Sequence, residues 1–185
     1  MNKTTISIHN FFLTVCLTLF TVLLSAQNPI LKGYADPHLK IWNGRMYISV
    51  GKDKSPEIKE FSMPYWSIFS SSDLLNWKPE TNIDPMDTYL GPGYNACWVS
   101  DISENSGKYY FYFSNGGKAT GALVAEKPEG PYMDVLKKPF IPEEFSVNHE
   151  YDLTLFRDDD GKQYSTLSSL RNYKRSKVSQ IRRSV

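Results

Sequence analysis

The sequence predicts an all-β protein built as a β-propeller, and three observations carry that expectation. Three segments recur, "NGRMYIS" at 43–49, "SGKYYFYFS" at 106–114 and "DGKQYST" at 160–166, each reading Gly, then Arg or Lys, then any residue, then Tyr. Nine positions upstream of the three glycines stand Ala35, Trp98 and Asp152, with Asp36 beside Ala35, and a short strand-like run follows each. No stretch after residue 26 shows the 3.6-residue period of an amphipathic helix. Repeated small sheets of this kind read as blades around an axis. A β-sandwich would need the three matched turns and their shared upstream pattern to coincide by chance.

The first element is an export signal over residues 1–26. Lys3 precedes the uncharged run Phe11–Leu24, and "LLSAQNP" supplies a small-residue exit with cleavage expected after Ala26. The run is short for a transmembrane helix, which needs roughly 20 apolar residues. Val15 before Cys16 is bulkier than a lipidation signal requires. The expected location is secreted or periplasmic, with no membrane attachment once the signal is removed.

The first blade opens with "YADPHLKIW", turns at Asn43-Gly44 and runs out through "RMYIS", with "WSIFSSSD" (66–73) as an outer strand. Asn-Gly, Ser-Gly and Asp-Gly suit tight turns with positive φ. The Tyr, Phe, Ile and Ser that follow have strand composition. The second blade repeats this through "VSDIS" and "YYFYFS", with "GALVAEK" (121–127) outside. The third begins at Asp152 with "LTLFR". A propeller needs at least about four blades to close. The chain therefore reads as the incomplete N-terminal part of a propeller, about two and a half blades over residues 27–164. The stretch 165–185, with six basic residues and no acidic one, reads as a basic tail that is non-native or disordered.

Charge and cysteines narrow the partners. Residues 27–164 carry 20 acidic groups against 14 basic ones, a balance of −6 that argues against nucleic acid. Cys97 is the one cysteine left after signal removal, so the domain must rely on its core. With no evident His partner, it reads as a buried thiol. His38 and His149 show no ligand spacing, and Asp158-Asp159-Asp160-Gly161 does not fit a calcium-loop template. No metal ligand is assigned.

The chemistry-bearing candidates are the residues that open the blades. An acid at the mouth of an axial strand points toward a shared funnel. Two such acids from different blades, Asp36 and Asp152, raise each other's pKa or divide roles. Inverting hydrolysis of a glycosidic bond needs that division, with one carboxylate activating water and an acid opposite protonating the leaving oxygen. Plainer roles stay open: a turn residue for Asp36, a blade-edge acid for Asp152, and blade-to-blade core for Trp98.

"YADPHL", "FSSSDLLNW", "NACWVSD", "EGPYMD" and "YDLTLFRDDDGKQY" together resemble glycoside hydrolase family 43, over roughly residues 30–164. The resemblance implies a five-bladed propeller and inverting hydrolysis of arabinosyl and xylosyl linkages in plant polysaccharides. It makes Asp36 the general base, Asp152 the acid that orients and tunes the proton donor, and Trp98 an aromatic wall of the sugar pocket. No cofactor is required; an axial calcium ion, held by some members, has no identifying residue here. The expected partner is a polysaccharide or oligosaccharide, and the oligomeric state is left open.

This sequence departs from the family pattern in three places. The second site reads Asp152-Leu153 where the family has Asp-Pro, and Trp98-Val99-Ser100 stands for Trp-Ala-Pro. The family's general acid is a Glu in a later blade, and no acidic residue follows Asp160. Glu129-Gly130-Pro131 has a tempting context but precedes Asp152, which excludes it. This chain alone is therefore expected to be inactive or nearly so. The alternatives are a non-catalytic carbohydrate-binding propeller or degenerate gene product, and a fructan-cleaving propeller hydrolase, whose Asn-Asp-Pro and Arg-Asp-Pro disagree with Ala35-Asp36-Pro37 and Tyr151-Asp152-Leu153.

Overall fold

A computed structural model describes residues 30–54, 61–143, 150–169 and 177–180. The expected export signal and His149 lie outside the described residues. Residues 33–185 form one compact unit, separate from residues 1–32.

Three antiparallel sheets follow one another along the described chain. The first has the order β1 (Tyr34–Trp42), β2 (Arg45–Lys52), β3 (Trp66–Ser71) and β4 (Lys78–Ile83). The second comprises β5 (Cys97–Asn105), β6 (Lys108–Asn115) and β7 (Ala119–Ala125). The third comprises β8 (Glu150–Arg157), β9 (Gln163–Ser169) and β10 (Lys177–Gln180). In each, the strand expected to line the axis pairs with the one after its glycine turn.

The turns differ in kind. Asn43-Gly44 and Ser106-Gly107 are two-residue connections with positive φ at both positions, the turn whose twist matches its flanking strands. Gly161 instead ends a wider loop, in which its N–H donates to the Asp158 carbonyl and Asp158 N–H donates to that of Lys162.

The middle sheet packs on both sides, which explains why "YYFYF" is apolar without alternation. Phe111 and Phe113 face the first sheet with Ile102 and Leu123, meeting Tyr47, Trp66 and Ile68. Tyr110, Tyr112 and Ala122 face the third, meeting Leu153 and Leu155. Trp66 is fully buried, with its ring 4.6 Å from that of Phe113. Gly121 lies opposite Phe113, and a Cβ there would sit 2.0 Å from the phenyl ring, so the close packing of that ring requires glycine.

Two strands differ from the sequence expectation. β4, "KPETNI", completes the first sheet although its composition is that of a loop; it is an outer strand with Pro79 next to a register shift. In the stretch read as a basic tail, β9 runs on to Ser169 and Lys177–Gln180 pairs with it.

Candidate functional site

β1, β5 and β8 carry the same irregularity. In β1 the register jumps between Ala35 and His38, in β5 between Cys97 and Ser100, and in β8 between Tyr151 and Thr154. Each jump spans three residues against two on the partner strand, a one-residue β-bulge. Asp36, Trp98 and Asp152 are the first residues within the three bulges. The upstream alignment read from the sequence is thus a backbone equivalence, with Asp36 rather than Ala35 in the matching place.

Side-chain contacts show that the three strands run parallel with their bulges at one end. Two residues past each bulge opening, His38 Nδ1–H donates to the Ser100 carbonyl at 2.9 Å, and the Thr154 hydroxyl lies 3.3 Å from His38 Nε2. Further along, Lys40 bonds to Asp101 and to the Leu155 carbonyl. Lower still, Arg157 donates to the Glu104 carbonyl at 2.6 Å. Residue numbers on the three strands rise together, so their N-terminal ends lie on the same side.

At that end Asp36 is exposed, with φ at 55°. Aspartate tolerates this left-handed conformation better than most L-residues, at a cost of about 1–3 kcal/mol. Trp98 is half-buried and does two jobs. Its carbonyl accepts from Trp66 Nε1 at 2.6 Å, tying it to the core, and its own Nε1 donates to the Phe61 carbonyl at 3.2 Å. Phe61 itself is 84% exposed. It sits on the connection from β2 to β3, which is knitted to the start of β5 through Met63 N–H to Asn95 and Cys97 N–H to Met63. Sequence reasoning missed Phe61, since an isolated Phe in "IKEFSMP" carries no period or motif. His38 was considered only as a metal ligand.

The other candidates fall elsewhere. Cys97 is buried, and burial pushes its thiol well above the ordinary range. β7 runs parallel to β5, so Glu129 beyond it lies at the end opposite the bulges. There Tyr47 Oη donates to Glu129 Oε1 at 2.7 Å, and burial, with this carboxylate second, drives the phenol's pKa up. Among the described residues, no three His, Cys, Asp or Glu side chains are grouped to hold a metal ion. A cavity of about 230 Å³ also opens away from the bulges, lined by Lys40, Trp42, Glu104, Phe156 and Arg157 among others. Its Arg157 and Lys40 are already engaged with Glu104 and Asp101, so the cavity does not compete with the bulge end as the seat of chemistry.

Comparison with known proteins gives a consistent picture. The model of the glycosyl hydrolases family 43 matches residues 26–182. A β-D-galactofuranosidase of Aspergillus niger is 28% identical over 191 residues, covering 84% of this chain and 54% of the relative. An arabinoxylan arabinofuranohydrolase of Bacillus subtilis is 29% identical over 163 residues, covering 75% of this chain and 32% of the relative. The chain thus spans about half the length of the first and a third of the second. The crystal structure of a family 43 arabinoxylan arabinofuranohydrolase from Bacillus subtilis, in complex with cellotetraose, superposes with a TM-score of 0.68 at 24% identity, over 84% of this chain and 39% of that one. At that identity the likeness speaks for the fold.

Proposed function

Since the chain belongs to the glycosyl hydrolases family 43, we propose that it is part of an exported enzyme that hydrolyses arabinosyl or xylosyl linkages in plant polysaccharides with inversion. Asp36 acts as general base. It takes a proton from water as the water oxygen attacks the anomeric carbon and the bond to the leaving oxygen breaks. Asp152 orients the reacting groups, and Trp98 offers its indole to the apolar face of the sugar, with Phe61 extending that wall. The observation that carries this reading is the shared bulge register of Asp36, Trp98 and Asp152 at one end of three adjacent strands. The names of the relatives support the substrate class, one being an arabinoxylan arabinofuranohydrolase and another a xylosidase/arabinosidase of Humicola insolens.

The proton donor is the weak point. A general acid contributes about 10²–10⁴ in rate, and no acidic residue follows Asp160. A phenolate leaving group needs little protonation, so it isolates the contribution of the base. The chain is expected to cleave dinitrophenyl arabinofuranoside or xyloside slowly, to bind xylotriose, and to leave unactivated xylo-oligosaccharides almost intact. Trp98→Ala should weaken xylotriose binding, measured by calorimetry, without unfolding the chain. Absence of both aryl-glycoside cleavage and xylotriose binding in the folded chain would refute the reading. Binding without any cleavage would favour the carbohydrate-binding alternative.

A further inference from the structure

Below the bulges, two rungs of side chains join three sheets whose described strands form no backbone ladder from one sheet to another. The upper rung is His38, reaching Ser100 on β5 and Thr154 on β8. The lower rung is the pair Lys40 and Asp101. Asp101 is fully buried, and its Oδ2 accepts from Lys40 Nζ at 2.9 Å and from Leu155 N–H at 2.7 Å, while Oδ1 accepts from Ile102 N–H at 2.8 Å. Lys40 Nζ also donates to the Leu155 carbonyl at 2.7 Å. Both main-chain polar groups of Leu155 are therefore satisfied by side chains of the other two sheets, as a neighbouring strand would satisfy them.

We propose that His38, Lys40 and Asp101 are positioning residues that lock β8 to β1 across β5, and thereby set the spacing of the bulges holding Asp36 and Asp152. The role of those two acids rests on the function proposed above; the lock itself does not. A buried ion pair stabilises little beyond an apolar substitute, so its distinctive contribution is geometry. Apolar packing lets one sheet slide on another by a fraction of a side chain, whereas the three hydrogen bonds that Asp101 and Lys40 make from sheet to sheet admit one register. Leu155 lies three residues from Asp152, so that register is transmitted directly along the strand.

The test uses the full chain with Cys16→Ser and spin labels at Ile41→Cys and Asp159→Cys, both exposed, reporting on β1 and on the turn after β8. Cys97 is fully buried and stays unlabelled. Pulsed dipolar spectroscopy should give one narrow distance with the lock intact. With Lys40→Met plus Asp101→Asn, the distribution should broaden and shift by about 1 Å or more, while circular dichroism stays that of the folded chain. A shift on that scale costs about 100-fold when reacting groups are involved, so kcat on dinitrophenyl glycoside should fall roughly 10- to 100-fold with KM nearly unchanged. An unaltered distance distribution in the folded double variant overturns the lock, and an altered distribution with unchanged kcat overturns its part in the chemistry. Should the unsubstituted chain not cleave the glycoside, the acid–base reading fails, and the spin-label distances still decide the lock. His38→Phe, which removes the upper rung alone, provides the same two readings if the double variant does not fold.

Discussion

The two ends of β1, β5 and β8 are built to opposite rules. At the bulge end the ladder is interrupted, Asp36 holds a left-handed conformation, and Asp36 and Phe61 are exposed. Below it the register is regular, Asp101 has no exposure, and neighbouring sheets are cross-linked by His38, Lys40 and Asp101. The contrast teaches how one strand can serve two purposes: local strain and exposure are tolerable where the next few residues are over-determined. Substitutions at the bulge end should therefore change chemistry with little change in stability, whereas substitutions in the apolar core below should do the reverse, and the polar lock of Lys40 and Asp101 reaches the chemistry only through register.

The largest expected effect tests the first half of that contrast. Asn tolerates the same backbone conformation, so Asp36→Asn removes the carboxylate alone. Hydrolysis of dinitrophenyl glycoside should drop by about 10²–10⁴, and the thermal midpoint should hardly move. A large fall in that midpoint would break the comparison. Trp66→Ala tests the other half. Emptying the space of a fully buried indole between the first two sheets should cost about 3–5 kcal/mol in urea unfolding.

Tyr47→Phe should have a smaller effect, about 1.5–3 kcal/mol, since it deletes one hydrogen bond to the Glu129 carboxylate. The aryl-glycosidase rate of the folded variant should be untouched, because Glu129 lies at the far end. The smallest effect is a pH dependence in the turn after β3. Asp73 accepts from the N–H groups of Asn76 and Leu75 and from the Asn76 side chain, and the Asn76 backbone bond is the first cause holding its carboxyl below the usual range. A depressed folded-state pKa contributes stability that is present above the unfolded value and lost as pH falls. The chain should therefore weaken in acid as pH drops below the ordinary value of 3.8, and Asp73→Asn should flatten that part of the profile.

Much of the sheet architecture was legible because turns and apolar runs are local signals. Asn43-Gly44 and Ser106-Gly107 announced two hairpins, and the Tyr-, Phe-, Ile- and Ser-rich runs after them announced strands. β4 was not legible, because an outer strand with Lys78, Pro79 and Glu80 has the composition of a loop. β1 was misleading in detail. Its alternation suggests Leu39 and Ile41 in the core, yet they are 48% and 64% exposed while Lys40 turns inward to Asp101. Side chains 61 positions apart leave no trace of their pairing in a single sequence. Within the candidate site, the repeat pointed to Trp98 and Asp152, whereas Asp36, one residue beyond the aligned Ala35, was singled out as an acid at a strand mouth. Phe61 and the His38 contacts depend on how separate segments meet, which spacing does not encode.

The thrice-repeated bulge has a further consequence, for how such a domain can change. Above it, odd-numbered Ala35 and Cys97 pack against the first core, whereas below it even-numbered Trp42 and Ile102 do. Each bulge is thus a slip in phase, and deleting its extra residue would turn the lower half of the strand inside out. So long as that slip is kept, positions 36, 98 and 152 are uncoupled from the alternation beneath them. The bulge end can then vary in sequence while the strands below keep their parity.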